Sequence, residues 1–292
     1  MTVIDLVQAM SARLDQAGVS FGHGTTNAFD EAAWLVLWKL GQPLDDLDGV
    51  ADADVTPAQL GAIEALIGER IRTRKPAAYL TGEAWLQGVP FFVDERVIVP
   101  RSLIAELLAH PDCVDTLDAW LSDRTKRVLD LCTGNASLAV LAALAWPEVD
   151  VDATDLSADA LVVAAKNVER HGLQERITLR QGDGLGAARG AYDLILCNPP
   201  YVNRDSMNAL PAEYRAEPAL ALDGGADGMD FVRTLVQGAA GHLNDRGVLV
   251  LEIGHERAHF EAAFPRLEAV WLSTSAGDDQ VLLLTREALS AR

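Results

Sequence analysis

The tetrapeptide Asn198-Pro199-Pro200-Tyr201 follows the apolar run from Asp193 to Cys197 and is the most chemically informative stretch of the chain. Proline at 199 holds Asn198 out of the helical region, and the two prolines stiffen the turn while removing two backbone donors. What remains is a set of acceptors. The Asn198 side-chain oxygen and a carbonyl of the Asn-Pro-Pro segment can together receive both N–H groups of a planar amine or amide, and Tyr201 offers a flat face for that group's stem. Upstream, three carboxylates fall at the ends of three successive strand-like runs. Asp130, in Asp130-Leu131-Cys132-Thr133-Gly134-Asn135-Ala136-Ser137, can accept from an ammonium or amide. Asp155 stands where an acidic side chain accepts the two hydroxyls of a ribose, and Asp183, in Gly182-Asp183-Gly184, can accept from an exocyclic adenine amine. Singly, each reads as a loop cap; three at successive strand ends read as a ligand site. Gly134 lets backbone approach a ligand closely, but it is not the G-x-G-x-x-G run that cradles a pyrophosphate, which disfavours a nicotinamide cofactor. A ligand with an amine, a ribose, an adenine and a positive centre but no phosphate is S-adenosylmethionine.

Other reactive residues point nowhere comparable. His255-Glu256-Arg257-Ala258-His259 fits the zinc pattern H-E-x-x-H. It follows directly on Gly254 at a strand end, with no third ligand apparent, and a solvated first helical turn in which Glu256 favours the helix dipole accounts for it. No metal is expected. His23, His110, His171 and His242 form no cluster, and no Ser-His-Asp arrangement stands out. Cys113, Cys132 and Cys197 are odd in number and lack C-x-x-C spacing, so they are expected as free thiols in a reducing compartment.

The elements that must hold these groups come in two styles. Residues 1–82 read as a small helical bundle. Ile4, Val7, Met10 and Leu14 recur at helical period before Gly18; Phe29 to Leu40 gives a second helix ended by Gly41; Thr56-Pro57-Ala58-Gln59 opens a third with a capping box and the stripe Leu60, Ile63, Ile67, Ile71. Residues 83–99 read as a β-hairpin linker, with Ala84 to Leu86 and Phe91 to Val93 as strands around Gln87-Gly88. Residues 100–292 then read as the catalytic domain. Ser102 caps a helix through Leu108, a further helix is expected from Asp112 to Leu121, and strands and helices then alternate. The expected strands are Arg127 to Cys132, Val149 to Thr154, Ile177 to Arg180, Asp193 to Cys197 and Gly247 to Glu252, with Ala269 to Ser273 and Val281 to Thr285 as a closing hairpin. The expected helices are Ala136 to Ala145, Ser157 to His171 and Met229 to Leu243. This order predicts a mostly parallel sheet with helices on both faces, the α/β doubly wound class.

Composition narrows the partners. With 292 residues, 49% hydrophobic and 23% charged, the chain is a folded protein of two domains or one elaborated one. The run Leu138 to Trp146 is far short of the ~20 residues a membrane span needs, and Asp5 stands where a signal peptide would be basic, so the expectation is a cytoplasmic protein with no membrane partner. Twenty-four basic against 43 acidic residues give a net charge of −19, spread along the chain with no basic stripe. That balance argues against holding DNA through its phosphates and for solubility or a basic partner.

On these motifs the chain resembles the class I S-adenosylmethionine-dependent methyltransferases of the HemK-like protein-(glutamine-N5) family, over nearly its whole length. Glu217-Pro218 through Gly224-Gly225 and Asp227-Gly228 also match that pattern. Val99-Pro100-Arg101-Ser102 with Ala105-Glu106-Leu107, and Ala78-Tyr79-Leu80-Thr81 with Glu83-Ala84-Trp85, are similar to the branch that modifies large-subunit ribosomal protein L-three. The release-factor branch usually reads Pro-Arg-Pro there. The resemblance implies a Rossmann-like, seven-stranded catalytic domain in which Cys132 to Ala136 form the cofactor loop, Asp155 holds the ribose, Asp183 faces the adenine and Asn198 to Tyr201 hold a glutamine. Ala136 departs from it: glycine is usual there, and its Cβ is expected to point at a loop passing close to the methionine part of the cofactor. Within the same reading, glutamine methylation of release factors, adenine-N6 methylation of DNA or RNA, and a binding module without turnover stand as alternatives.

Overall fold

Short polar side chains fix the helix starts in the first part of the chain. In the computed structural model, which describes residues 1–110 and 112–291, Thr2 and Thr56 each close a capping box, with Asp5 and Gln59 reaching back, and open α1 (Val3–Gln16) and α4 (Pro57–Thr73). Asn27 caps α2 (Ala28–Leu40), and Gly41, at φ 67°, stops it. Each such cap satisfies donors that a helix start leaves unpaired, worth about 1 kcal/mol. With α3 (Leu47–Val50) and α5 (Ala77–Thr81), these helices enclose a core that includes Val7, Met10, Leu14, Leu35, Ile63 and Ile67. Leu60 and Ile71 of the expected stripe lie on its margin.

The hairpin pairs β1 (Glu83–Leu86) with β2 (Val89–Phe92). Gln87 and Gly88 turn it with φ of 49° and 75°, the two left-handed residues that a two-residue turn needs to match strand twist. After α6 (Ile104–Ala109), the helix expected from Asp112 to Leu121 is instead a single 3-10 turn at Val114–Leu117. Asp112, Asp115 and Asp118 would stack at three-residue spacing on one helix face, and like charges at that spacing repel.

Then the chain alternates: β3 (Arg127–Leu131), α7 (Ser137–Ala145), β4 (Asp150–Asp155), α8 (Ala158–Arg170), β5 (Ile177–Gln181), β6 (Tyr192–Cys197), α9 (Arg204–Ala209), α10 (Asp230–Gly238), β7 (Leu243–Glu252), α11 (Arg257–Ala263), β8 (Val270–Thr274), β9 (Gly277–Thr285) and α12 (Arg286–Ser290). The helix expected from Met229 to Leu243 stops at Gly238, and a 3-10 turn carries the chain to His242. The seven strands form one sheet in the order β5-β4-β3-β6-β7-β9-β8, parallel through β7 and antiparallel at β9 and β8. Two apolar cores cover its faces, one containing Leu141, Val151 and Ala164, the other Leu129, Ile195 and Leu235. Strands buried on both faces are apolar throughout, which is why β6 and the end of β7 show no alternation. From β3 the chain winds outward to β5 and returns to β6 on the other side of β3, so a crevice opens at the carboxyl ends of β3 and β6. Among the described residues no helix is long and apolar enough to cross a membrane.

Asn167 ties the hairpin to this crevice. It is fully buried in the apolar stripe of α8. Its Oδ1 accepts from the Phe92 amide at 2.7 Å, and its Nδ2 donates to the carbonyls of Phe92 (3.0 Å) and Asn135 (2.8 Å). Asn167→Ala leaves these groups unpartnered and is expected to cost about 2–3 kcal/mol. Thermal denaturation should register a fall in Tm of roughly 5–10 °C; an unchanged Tm would count against the clamp.

Candidate active site

The loop after β3 is crumpled by alternate left-handed residues, Cys132 (φ 59°), Gly134 (55°) and Ala136 (65°). Three of its amides are already engaged: Thr133 donates to the Thr154 carbonyl (2.9 Å), Gly134 to Asp155 Oδ2 (2.9 Å) and Ala136 to the Thr133 carbonyl (2.8 Å). With these amides spent on the loop and on the end of β4, the run of consecutive free N–H groups that nests a pyrophosphate is broken. Ala136 is fully buried in the core behind the loop and is not among the residues that line the cleft. Its left-handed backbone costs an alanine roughly 1–2 kcal/mol that a glycine would not pay.

Asp130 lies at the floor. Its carboxylate is fully buried; Oδ2 accepts from the Thr133 hydroxyl (2.5 Å) and the Ala139 amide (3.0 Å), while Oδ1 has no partner among the described residues. Burial pushes its carboxyl up to about 7, the Asp155 charge adds to the rise, and the two hydrogen bonds oppose it. Asn135, also buried, has an unpartnered Nδ2 and lines the same part of the cleft. An orphaned acceptor beside an orphaned donor, each costing about 1–3 kcal/mol when unpaired, fits a ligand carrying both an ammonium and a carboxylate. Thr133 and Cys132 complete this end.

At the other end, Asp155 terminates β4. Its oxygens accept from Gly134 and from the Ser157 amide (2.8 Å), and because a carboxylate has about four acceptor positions it retains capacity for hydroxyls. Burial raises its carboxyl above the ordinary carboxylate range, against the pull of those amides. Asp183, exposed, lines the cleft between Gly182 and Gly184, with the Phe231 ring under Gly184. Phe231, Leu156 and Ile98 supply the apolar walls, and sequence reasoning missed all three. Leu156 stands alone between Asp155 and Ser157, while Ile98 in Val97-Ile98-Val99 and Phe231 beside Val232 read as ordinary core residues, so none carries a local sign of a ligand.

Asn198 joins the two ends, since it lines both parts of the cleft together with Cys132, Gly134 and Ile98. Pro200 faces the part of the cleft lined by Asp155 and Asp183, and Pro199 is buried. The chain beyond is pinned where Val202 donates to the Leu222 carbonyl and Gly224 to that of Val202, both at 2.9 Å. Tyr201 does not line the cleft. Its hydroxyl donates to Glu252 Oε1 (3.1 Å) and its ring lies on Gly254, so the expected flat face for a substrate stem is turned inward. A methyl at Gly224, Gly228 or Gly254 would come within 2.7, 2.3 or 2.5 Å of Tyr201 atoms, which is what these glycines are for.

Beside the corner, Glu217 accepts from the Val99 amide (2.8 Å) and, through both oxygens, from the Arg101 guanidinium (2.7 Å each). Burial works against its charge, but His23 and Arg101 hold its carboxyl below the ordinary range. Buried Arg70 pairs with Glu31 (2.8 Å) and Glu213 (3.3 Å), so the helical bundle is ionically bonded to the segment that follows the corner. The H-E-x-x-H residues hold no metal cluster: Glu256 accepts from Asn203 Nδ2 (2.6 Å) and pairs with His259, and among the described residues no group of metal-ligating side chains gathers anywhere.

Comparison with known proteins adds a chemical class. A family profile described as methyltransferase small domain matches residues 113–213. A protein of Bordetella pertussis named ribosomal protein uL3 glutamine methyltransferase is 58% identical, the match covering 99% of this chain and 96% of that one. A protein of Burkholderia pseudomallei with the same name is 53% identical at the same coverage. The solved hMettl16 catalytic domain in complex with a MAT2A 3′UTR hairpin has a TM-score of 0.51 at 14% identity, over 79% of this chain and 81% of that chain, a likeness of fold alone.

Proposed function

The chain belongs to the ribosomal protein uL3 glutamine methyltransferase family, and from that premise we propose that it moves a methyl group from S-adenosylmethionine to the side-chain amide nitrogen (N5) of a glutamine in large-subunit ribosomal protein uL3. The observation that carries this reading is Asn198, a residue directly after β6 that borders both the part of the cleft lined by Asp130 and Asn135 and the part lined by Asp155 and Asp183.

In this reading Asp130 Oδ1 takes the cofactor's ammonium and Asn135 Nδ2 its carboxylate, the orphaned pair being the fit that supports the assignment. Cys132, Thr133, Gly134 and the backbone turn at Ala136 shape the loop around it, Asp155 holds the ribose hydroxyls, and Asp183 with Phe231 holds the adenine. When bound, the cofactor supplies a methyl already activated on a sulfonium. What the chain adds is orientation: Asn198 Oδ1 and a carbonyl of the Asn198-Pro199-Pro200 segment accept both N–H groups of the amide and favour the charge that develops on its nitrogen. Pro199 and Pro200 present no competing donor. We assign no covalent intermediate and no general base; the proton leaves the attacked nitrogen to water or to a nearby acceptor. Residues 1–82 recognise the substrate, 83–99 connect, and 100–292 carry the chemistry.

The −19 charge suits a basic ribosomal protein in the cytoplasm and disfavours adenine-N6 methylation of a nucleic acid, whose phosphates an acidic surface repels. Incubation with methyl-labelled cofactor and separate pools of unmethylated uL3, release factors, DNA and RNA tests the reading. Label is expected on one uL3 glutamine, located by peptide mass spectrometry. Label on another pool overturns the substrate, and calorimetry with the cofactor giving no heat would favour a module without turnover.

A further inference from the structure

Glu252 ends β7 one residue beyond the pair Leu251 and Cys197, which brings it beside Asn198. It is 3% exposed, and among the described residues its partners are neutral hydrogen-bond donors with no cation paired to it. Burying a carboxylate without a cation is costly, and burial raises its carboxyl. Three donors compensate, and they come from two separate segments: the Ser102 hydroxyl (2.6 Å) and Leu103 amide (2.9 Å) on Oε2, the Tyr201 hydroxyl (3.1 Å) on Oε1.

We propose that Glu252 is the positioning residue of the acceptor corner, clamping Tyr201, and with it Asn198-Pro199-Pro200, to the Ser102 segment that borders the same cleft. The inference rests on the proposed glutamine methylation. In-line transfer requires the nitrogen about 3–3.5 Å from the methyl, and an error near 1 Å costs about 10²-fold. Only a carboxylate accepts from all three donors. A glutamine keeps one acceptor oxygen for Ser102 and Leu103 and turns an NH2 towards Tyr201, whose hydroxyl must then rotate to accept, replacing a charge-assisted bond by a weaker neutral one.

The variants Glu252→Gln, Glu252→Asp and Tyr201→Phe distinguish positioning from structural support. Glu252→Gln is expected to lower kcat on uL3 by about 10–100-fold, with cofactor Kd by calorimetry within about twofold of wild type. Glu252→Asp, which keeps the charge, recovers part of kcat, and Tyr201→Phe, which removes one hydroxyl, reproduces part of the loss. Hydrogen exchange needs no substrate: amides around Val202 should exchange faster in Glu252→Gln while the 132–137 loop is unchanged. Wild-type kcat in Glu252→Gln, or parallel loss of kcat, cofactor affinity and Tm, overturns the proposal. Should Glu252→Gln not fold, wild-type kcat and exchange in Tyr201→Phe does so. If wild-type enzyme leaves uL3 unlabelled, the substrate reading has failed, and the exchange experiment alone decides the clamp.

Discussion

Replacing Asn198 with alanine is expected to lower the single-turnover rate about 10³-fold while changing cofactor Kd no more than a few-fold. The separation follows from what the side chain does and does not touch. Asn198 makes no side-chain hydrogen bond among the described residues and is half-buried at the cleft, so truncation leaves no buried partner stranded. The fold should therefore stand, with Tm close to that of the parent. An amide nitrogen, however, is a weak nucleophile because its lone pair is delocalised into the carbonyl. Two fixed acceptors orient it and stabilise the positive character it gains as the bond to carbon forms, and removing one leaves a group free to rotate. In the proposed reading the cofactor's groups rest on Asp130, Asn135 and Asp155, which the substitution leaves in place. Rapid-quench measurement with bound labelled cofactor separates the step from product release. A rate within tenfold of the parent would refute the role given to Asn198.

Much of this architecture was legible because local rules governed it. The capping boxes at Thr2 and Thr56, the stop at Gly41 and the Gln87-Gly88 turn are decided by residues three or four positions apart. Asp130, Asp155 and Asp183 were legible because a strand followed by a turn can be read without knowing its neighbours, and the structure brings all three to one cleft. What escaped was long-range. Glu252 meets Ser102 150 positions away, Glu217 meets Val99 across 118, and Asn167 meets Phe92 across 75. No spacing rule links such pairs; the only local hint was polarity in an apolar setting, such as Asn167 in the stripe of α8 or Glu252 closing an apolar strand. The position of the Tyr201 ring was not legible for the same reason, since Gly254, on which it lies, is 53 residues downstream and its hydroxyl's partner Glu252 is 51. Local reasoning overreached at Asp112 to Leu121, where apolar periodicity was present but acidic residues at three-residue spacing outweighed it.

Asp130 yields the second large effect, through pH. In the free protein its carboxyl is pushed up to about 7, first by burial and then by the Asp155 charge. Below that value the group carries a proton, and Oδ1, the orphaned atom assigned to the cofactor's ammonium, is no longer a full anion. Binding must then expel the proton, so affinity is expected to fall by up to about tenfold for each pH unit below 7 and to level off towards pH 8. The same shift fixes the sign for stability. The folded value lies above the unfolded one of 3.8, so the folded state binds more protons between the two, and the free protein loses stability as pH rises from about 4 to 7. A bound cation offsets that cost, and the rise in Tm on adding cofactor should be larger at pH 8 than at pH 6. Asp130→Asn retains the shape and the Thr133 and Ala139 contacts through one oxygen but cannot ionise; its affinity should be about 10²-fold weaker at pH 8 and independent of pH from 6 to 8. Calorimetry in buffers of different ionisation enthalpy counts the released proton directly. An affinity that is flat with pH in the unsubstituted protein would show that Asp130 stays charged throughout or stands apart from the ammonium, and the assignment of Oδ1 would fall with it.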